Sequence, residues 1–349
     1  MKILFYLGHP AHYHLFRYAI EHFGDKAIVI IKSKDVLESL LKQNGVKYFN
    51  IEENYKKGKG GKVALAFRVL ARAREIFKII KTHKPGLLVG SPAELAIVGK
   101  LTGVPVCMFF EDDVEKVAPY GTITGPTATH LICPDVCSAG KWDYKKIGYK
   151  SYHELAYLHP DHFTPDRSKV AHLFKEGERN FIIRFVELGA FHDVGKTGLT
   201  DEMAKTIIDK LLPHGKVYIT SERALPAVFE PYKISIAPTD IHHALYFADM
   251  FIGDSQTMTA EAAVLGTPAL RFNDFVGELS YLEDLEHVYG LTYGFKTNNV
   301  KGLIQKLDEL LAIPDLANEW RKRKDKLLTV KINLAKWMID FLSNYPPKK

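Results

Sequence analysis

The chain reads as an α/β protein built from two doubly wound parallel-sheet domains, and three observations carry that reading. Short apolar runs, among them Ile3–Leu7, Ala27–Ile31 and residues 106–110, alternate with longer stretches of helical periodicity, the order that produces a parallel sheet covered on both faces. The alternation restarts with the apolar run 181–185, after a stretch at 148–165 punctuated by Pro160 and Pro165 that reads as an interdomain linker. A length of 349 residues suffices for two domains of ordinary size, each with its own core.

The first domain is expected over residues 1–160, with strands at 3–7, 27–31, 87–89, 106–110 and 130–133 and helices near 14–22, 34–44, 62–83 and 93–102. Ligands bind such sheets at the carboxyl ends of strands. After the first strand comes Gly8-His9-Pro10-Ala11-His12-Tyr13-His14, and imidazole is the side chain best poised to exchange a proton near neutral pH. His9, His12 and His14 are thus candidates for proton handling or acceptor binding; the competing reading is a turn whose histidines make structural hydrogen bonds. Gly90-Ser91-Pro92-Ala93-Glu94 repeats the strand, turn and helix pattern and offers Glu94 as a further acceptor-binding candidate. The next strand ends in Glu111-Asp112-Asp113, carboxylates suited to acid–base work or metal binding. The cationic loop around Lys57 and Lys59 is available to a phosphate-bearing acceptor. It feeds a helix whose Phe67, Leu70, Ile76 and Ile80 are expected on the core while Arg68, Arg72 and Arg74 are solvated; the alternative is a helix resting on a membrane surface.

The second domain is expected over 161–325, followed by a terminal helix at 326–349. Its densest stretch is 251–272, FIGDSQTMTAEAAVLGTPALRF. A short apolar run stops at Gly253, Asp254-Ser255 supplies helix-capping chemistry, and Gly266 closes the helix before Thr267-Pro268 leads into another strand. A helix N-terminus at a strand's carboxyl end presents unpaired N–H donors and a positive dipole end to an anion such as a diphosphate, with Ser255, Gln256 and Thr257 at the mouth. Thr257 and Glu261 share a polar face, and a carboxylate there can accept both hydroxyls of a ribose. The bland alternative makes Ser255 a cap and Glu261 a solvated surface charge.

Hydrophobic content of 46% and charged content of 25% fit a soluble globular chain, and no apolar run approaches the roughly 18 to 20 residues that span a bilayer. The five-residue run Ile3–Leu7 reads as a strand and not as a signal peptide. Three cysteines give no disulfide framework, which suits a reducing, cytoplasmic setting. A zinc site at His130, Cys133 and Cys137 is disfavoured by their spacing and by the lack of a marked fourth ligand. The net charge of +6 is uneven: residues 1–160 hold 23 Lys and Arg against 15 Asp and Glu, the remainder 24 against 26. The basic half can meet a phosphate-bearing substrate or the inner face of an anionic membrane; nucleic acid is not expected, because no reading module is present.

The stretch 251–272 resembles the nucleotide-sugar site of GT-B glycosyltransferases and of UDP-N-acetylglucosamine 2-epimerases, with Gln256-Thr257 where the epimerases carry two glycines. Over nearly the whole chain, GHPAHYHLFR, HELAYLHP, ELGAFHDVGKTGL and IGDSQTMTAEAAVLGTPALR resemble an uncharacterised archaeal and bacterial family of predicted GT-B glycosyltransferases. The resemblance implies two Rossmann-like domains facing across a cleft, with the acceptor on the first and the donor on the second. It further implies that Arg184, His192 and Lys196 offset the diphosphate charge, that His243 or its neighbour His242 borders the base, and that Glu111 or Asp112 matches an epimerase glutamate. The His9–His14 turn is similar to the acceptor-side loop of the peptidoglycan N-acetylglucosaminyltransferase, in which register His12 is the base. The expected activity is transfer of a hexosyl or N-acetylhexosaminyl group from a nucleotide sugar, UDP-linked, to a glycan or polyprenyl-phosphate-linked acceptor, without a resident cofactor or obligatory metal. Sugar 2-epimerisation and non-catalytic nucleotide-sugar binding are the alternatives.

Overall fold

The computed structural model describes residues 1–32, 35–52, 62–187 and 197–346. The chain divides into two compact units, Met1–His159 with Ile332–Lys349, and Pro160–Lys331. In the first unit the elements are β1 (Ile3–Leu7), α1 (Pro10–Phe23), β2 (Ala27–Ile31), α2 (Asp35–Gln43), β3 (Phe49–Asn50), α3 (Lys62–His83), β4 (Leu87–Gly90), α4 (Ala93–Thr102), β5 (Val106–Phe109), α5 (Ala118–Thr127), β6 (His130–Pro134) and β7 (Lys146–Tyr149). The second unit holds β8 (Asn180–Phe185), α6 (Asp201–Leu211), β9 (Lys216–Ser221), α7 (Ile241–Phe247), β10 (Met250–Gly253), α8 (Gln256–Leu265), β11 (Ala269–Phe272), α9 (Ser280–His287), β12 (Thr292–Phe295), α10 (Val300–Leu311) and α11 (Leu316–Leu328). The last helix, α12 (Leu334–Ser343), belongs to the first unit.

Among the described residues both sheets are parallel throughout, ordered β3-β2-β1-β4-β5-β6-β7 and β12-β11-β10-β8-β9. Central strands such as β1, β4, β5 and β10 are buried along their whole length, as parallel strands covered on both faces must be. Each order reverses direction once, between β1 and β4 in the first sheet and between β8 and β10 in the second. At such a reversal the loops leaving neighbouring strands diverge and open a crevice at the strands' carboxyl ends.

Several elements depart from the sequence expectations. Helix α1 begins at Pro10, four residues before the predicted start: His9 is extended and caps it, and proline at the first helical position forfeits no hydrogen bond. Strand β7 and the buried residues Tyr152, Leu155 and Ala156 occupy much of the stretch predicted as linker. The helical pattern at the end of the chain is broken at 329–333 into α11 and α12. Trp320 anchors α11, fully buried with its indole N–H donating to the Leu291 carbonyl at 2.9 Å. Helix α12 packs on α1 and on residues 153–156, and the Ile332 N–H donates to the Lys150 carbonyl at 2.8 Å.

On α3, Ile76 and Ile80 are buried as predicted, but Leu70 is 65% exposed and Arg72 is inside. Arg72 Nε lies 2.7 Å from Glu94 Oε1 and its Nη1 2.7 Å from Glu52 Oε1, while the Tyr6 hydroxyl donates to Glu94 at 3.0 Å. An arginine can lie inside because two carboxylates and a fork of donors satisfy one another. Replacing Arg72 with Met is expected to cost about 3–5 kcal/mol in urea unfolding, since it strands a buried carboxylate. Adding Glu94→Gln to that variant should recover part of the loss.

Candidate functional site

In the second unit the crevice between β8 and β10 is flanked by the N-terminus of α8. Ser255 is extended and its hydroxyl accepts the Met258 N–H at 3.2 Å, as the sequence predicts, and Gly266 ends the helix at φ +82°. Helix geometry leaves the first-turn N–H groups of Gln256 and Thr257 without intrahelical acceptors. Gln256 is half-buried and Thr257 exposed. Gly253 lets the strands draw together: a Cβ there would sit 2.7 Å from the Arg184 carbonyl oxygen. The buried Asp254 carboxylate accepts the N–H of Val186 at 2.8 Å and of Leu199 at 3.1 Å, and the Asn273 side chain donates to the Asp254 carbonyl at 2.9 Å. The loops leaving β8, β10 and β11 are thereby fastened together.

Glu261, the ribose-holding candidate, is no solvated surface charge. It is 6% exposed and faces His242 on α7, with Nε2 and Oε1 3.0 Å apart. His243 stacks on Phe163 at 4.9 Å and accepts the Asp166 N–H on Nδ1. Of the two neighbouring histidines, then, His242 is the one beside the ribose-holding candidate. Periodicity alone does not decide between them on a helix as short as α7. Arg184 lies on β8 with its Nη2 bound to Glu222 and its Nε buried without a hydrogen-bond partner among the described residues. An incoming diphosphate would therefore compete with Glu222 for this guanidinium. His192 and Lys196, like Lys57 and Lys59, lie outside the described residues.

In the first unit the crevice between β1 and β4 carries the histidine turn. Gly8 is required there, because a Cβ would lie 2.9 Å from Pro92 of the loop after β4. Two of the imidazoles use Nδ1 as an acceptor: His12 takes the Gly8 N–H at 3.0 Å and His9 takes the Ala11 N–H at 3.2 Å. A neutral imidazole accepting on Nδ1 carries its proton on Nε2. In this geometry His12 and His9 thus offer Nε2–H as a donor, and service as a base requires His12 to give up the Gly8 bond. His14, half-buried, meets Tyr157 at 5.1 Å between ring centroids.

Glu111 is held by the His153 N–H at 2.7 Å. Burial and the nearby Glu154 charge push its carboxyl well above the usual carboxylate range, while burial drives His153 down to about 3, so both favour the neutral state. Asp112 is half-exposed, whereas Asp113 is buried and accepts the Ser138 N–H at 2.7 Å. Glu94 is committed to the Tyr6 and Arg72 network. Cys133 and Cys137 are buried; the Cys133 thiol is pushed up to about 12, and the Cys137 thiol faces the Glu111 carbonyl at 2.9 Å.

The sequence pattern of one family covers residues 1–305. The chain belongs to DUF354, a family described as proteins of unknown function. Comparison with curated proteins gives no match. Among solved structures, this DUF354 chain is similar to the UDP-GlcNAc 2-epimerase of Neisseria meningitidis bound to UDP-GlcNAc, at 13% identity and TM-score 0.66 over 98% of this chain and 100% of the other. It is similar to HepE of Anabaena in complex with UDP and glucose, at 14% identity and TM-score 0.66 over 99% and 100%. The spinosyn rhamnosyltransferase SpnG matches at 13% identity and TM-score 0.63 over 99% and 100%. At such identities the likeness establishes the fold, that of GT-B proteins, as the sequence resemblance implied.

The Asp254 junction of the DUF354 chain carries a pH signature. Burial raises its carboxyl to about 6, against the opposing pull of the Val186 and Leu199 N–H groups. A folded-state pKa above the unfolded value means that the folded chain holds the proton more tightly, so this group's contribution to stability falls as pH rises from about 4 to 6. Melting temperatures of wild type and Asp254→Asn, compared across pH 4 to 8, should show the wild type losing ground over that window and a constant difference above it.

Proposed function

We propose that this DUF354 chain is a glycosyltransferase that moves a hexosyl or N-acetylhexosaminyl group from a UDP-linked sugar to a glycan or polyprenyl-phosphate-linked acceptor. The observation that carries the reading is the coincidence, at the strand reversal of the second unit, of an open helix N-terminus with a buried carboxylate farther down the same helix. That pairing suits the diphosphate and ribose of one nucleotide, and proteins sharing the fold have been solved with UDP and with UDP-GlcNAc. In this reading Ser255, Gln256 and Thr257 meet the diphosphate, Arg184 with His192 and Lys196 offsets its charge, and Glu261 takes the ribose. The nucleotide sugar is a substrate, and no resident cofactor is invoked.

Transfer requires removal of a proton from the acceptor hydroxyl and stabilisation of the departing diphosphate. His12 is the proton-handling side chain we assign, acting as a base once a substrate oxygen at Nε2 favours the tautomer that releases Gly8. His9 and His14 flank it, and we assign the acceptor phosphate to Lys57 and Lys59. Exposed Leu70 and Phe77 beside Arg74 and Lys81 on α3 suit a lipid-linked acceptor met at an anionic membrane surface. A second reading, sugar 2-epimerisation, draws on the neutral-favouring Glu111 carboxyl next to Asp112, since epimerisation needs acid and base groups at the sugar and no acceptor.

A thermal-shift screen over UDP-, GDP-, CMP- and dTDP-sugars should show stabilisation by mass action with the true donor. Nucleotide release that depends on an added acceptor supports transfer; an isomerised sugar without acceptor supports epimerisation; binding with neither supports a non-catalytic role. For a transferase, His12→Ala should lower turnover by about a hundredfold or more and leave donor affinity within about twofold. Unchanged turnover would remove His12 from the mechanism.

A further inference from the structure

Resting on the reading of α8 as a donor site, we infer that His242 is a positioning residue that aims the Glu261 carboxylate at the 2′-hydroxyl of a ribonucleoside diphosphate. Glu261 lies five residues below Gln256, roughly 7.5 Å along the helix axis, and is 6% exposed. A carboxylate on a flexible stem recognises a diol well only when its plane is fixed before the ligand arrives. His242 Nε2, 3.0 Å from Oε1, supplies that restraint. In the tautomer that carries its proton on Nε2, the imidazole donates to this oxygen.

The imidazole is itself held. It is 7% exposed, and the Phe163 ring stands edge-on to it at 6.3 Å and 86°. The same phenyl ring stacks on His243, whose Nδ1 accepts the Asp166 N–H at 3.1 Å. The segment from Phe163 to Asp166 therefore packs against α7 at both histidines, so that the His242 ring is bounded by Phe163 as well as by Glu261. A buried donor aimed at a buried acceptor is worth more than the same pair in water, so removing it should be felt at the hydroxyl that Glu261 contacts rather than along the whole nucleotide.

Calorimetric titration of UDP, GDP and CDP, each against its 2′-deoxy counterpart, tests this. Wild type should prefer the ribose form of the nucleotide it binds by about tenfold, the worth of a hydrogen bond to a charged group. His242→Leu should reduce that preference to about twofold or less, and His242→Gln, whose amide nitrogen replaces Nε2, should restore most of it. Should the Leu variant fail to fold, His242→Asn gives the same comparison, because its shorter amide does not reach Glu261. A preference that survives in the Leu or Asn variant, even with both affinities weakened in parallel, overturns the positioning role and leaves the donor site standing. Wild type that binds none of the six nucleotides overturns the donor site and this role with it.

Discussion

The carboxyl end of the second unit's sheet depends on the Asp254 carboxylate, which is buried and yet accepts the backbone N–H groups of Val186 and Leu199. Two opposing costs meet there. Removing a carboxylate from water is unfavourable, and leaving two backbone donors unpaired in the same place would be unfavourable too. Satisfying both at once fastens Val186 and Leu199 to the residue before the Ser255 cap, and Gly198 is needed because a Cβ would come within 2.5 Å of Asp254 Oδ2. Asn273 extends the tie to β11, so the N-terminus of α8 stands on a frame made of the chain's own hydrogen bonds.

The first unit solves a related problem with different groups. Its strand reversal carries imidazoles and sequestered carboxyls where the second unit carries open N–H donors. Glu111 and His153 sit in surroundings that disfavour charge, and the Nδ1 atoms of His9 and His12 are occupied by backbone donors. Such groups do not attract an anion, in keeping with the proposed division of labour in which one unit holds the nucleotide and the other the incoming hydroxyl.

How much of this could be read from the chain follows from how local each signal is. Helix α8, its Ser255 cap and its Gly266 terminus were legible because capping and left-handed glycine are determined within a few residues. The long apolar strands were legible for the same reason. Strand β3, two residues long, has no periodicity to show, and α5 is written with Gly121, Gly125 and Pro126, a composition that argues for a loop until Trp142 is seen covering Gly125. The burial of Arg72 rests on Glu52 and Glu94, partners supplied by separate segments, and a helical wheel sees neither. Likewise His242 and His243 are equivalent until Glu261 is seen beside the first and the Asp166 N–H on the second. The candidate residues were visible as chemical types at strand ends, whereas their hydrogen-bonding states were set by tertiary neighbours.

Helix α12, packed on α1 and tied at Ile332 to the backbone of Lys150, makes the first unit discontinuous in sequence while the second is one unbroken segment. During synthesis the order of completion is therefore inverted. The second unit can close on itself as soon as α11 has emerged, but the first unit, although translated ahead of it, must wait with the apolar flank of α1 uncovered until α12 arrives. That interval is when the nascent chain is most exposed to aggregation, and it places the burden of chaperoning on the half of the protein that is made earliest.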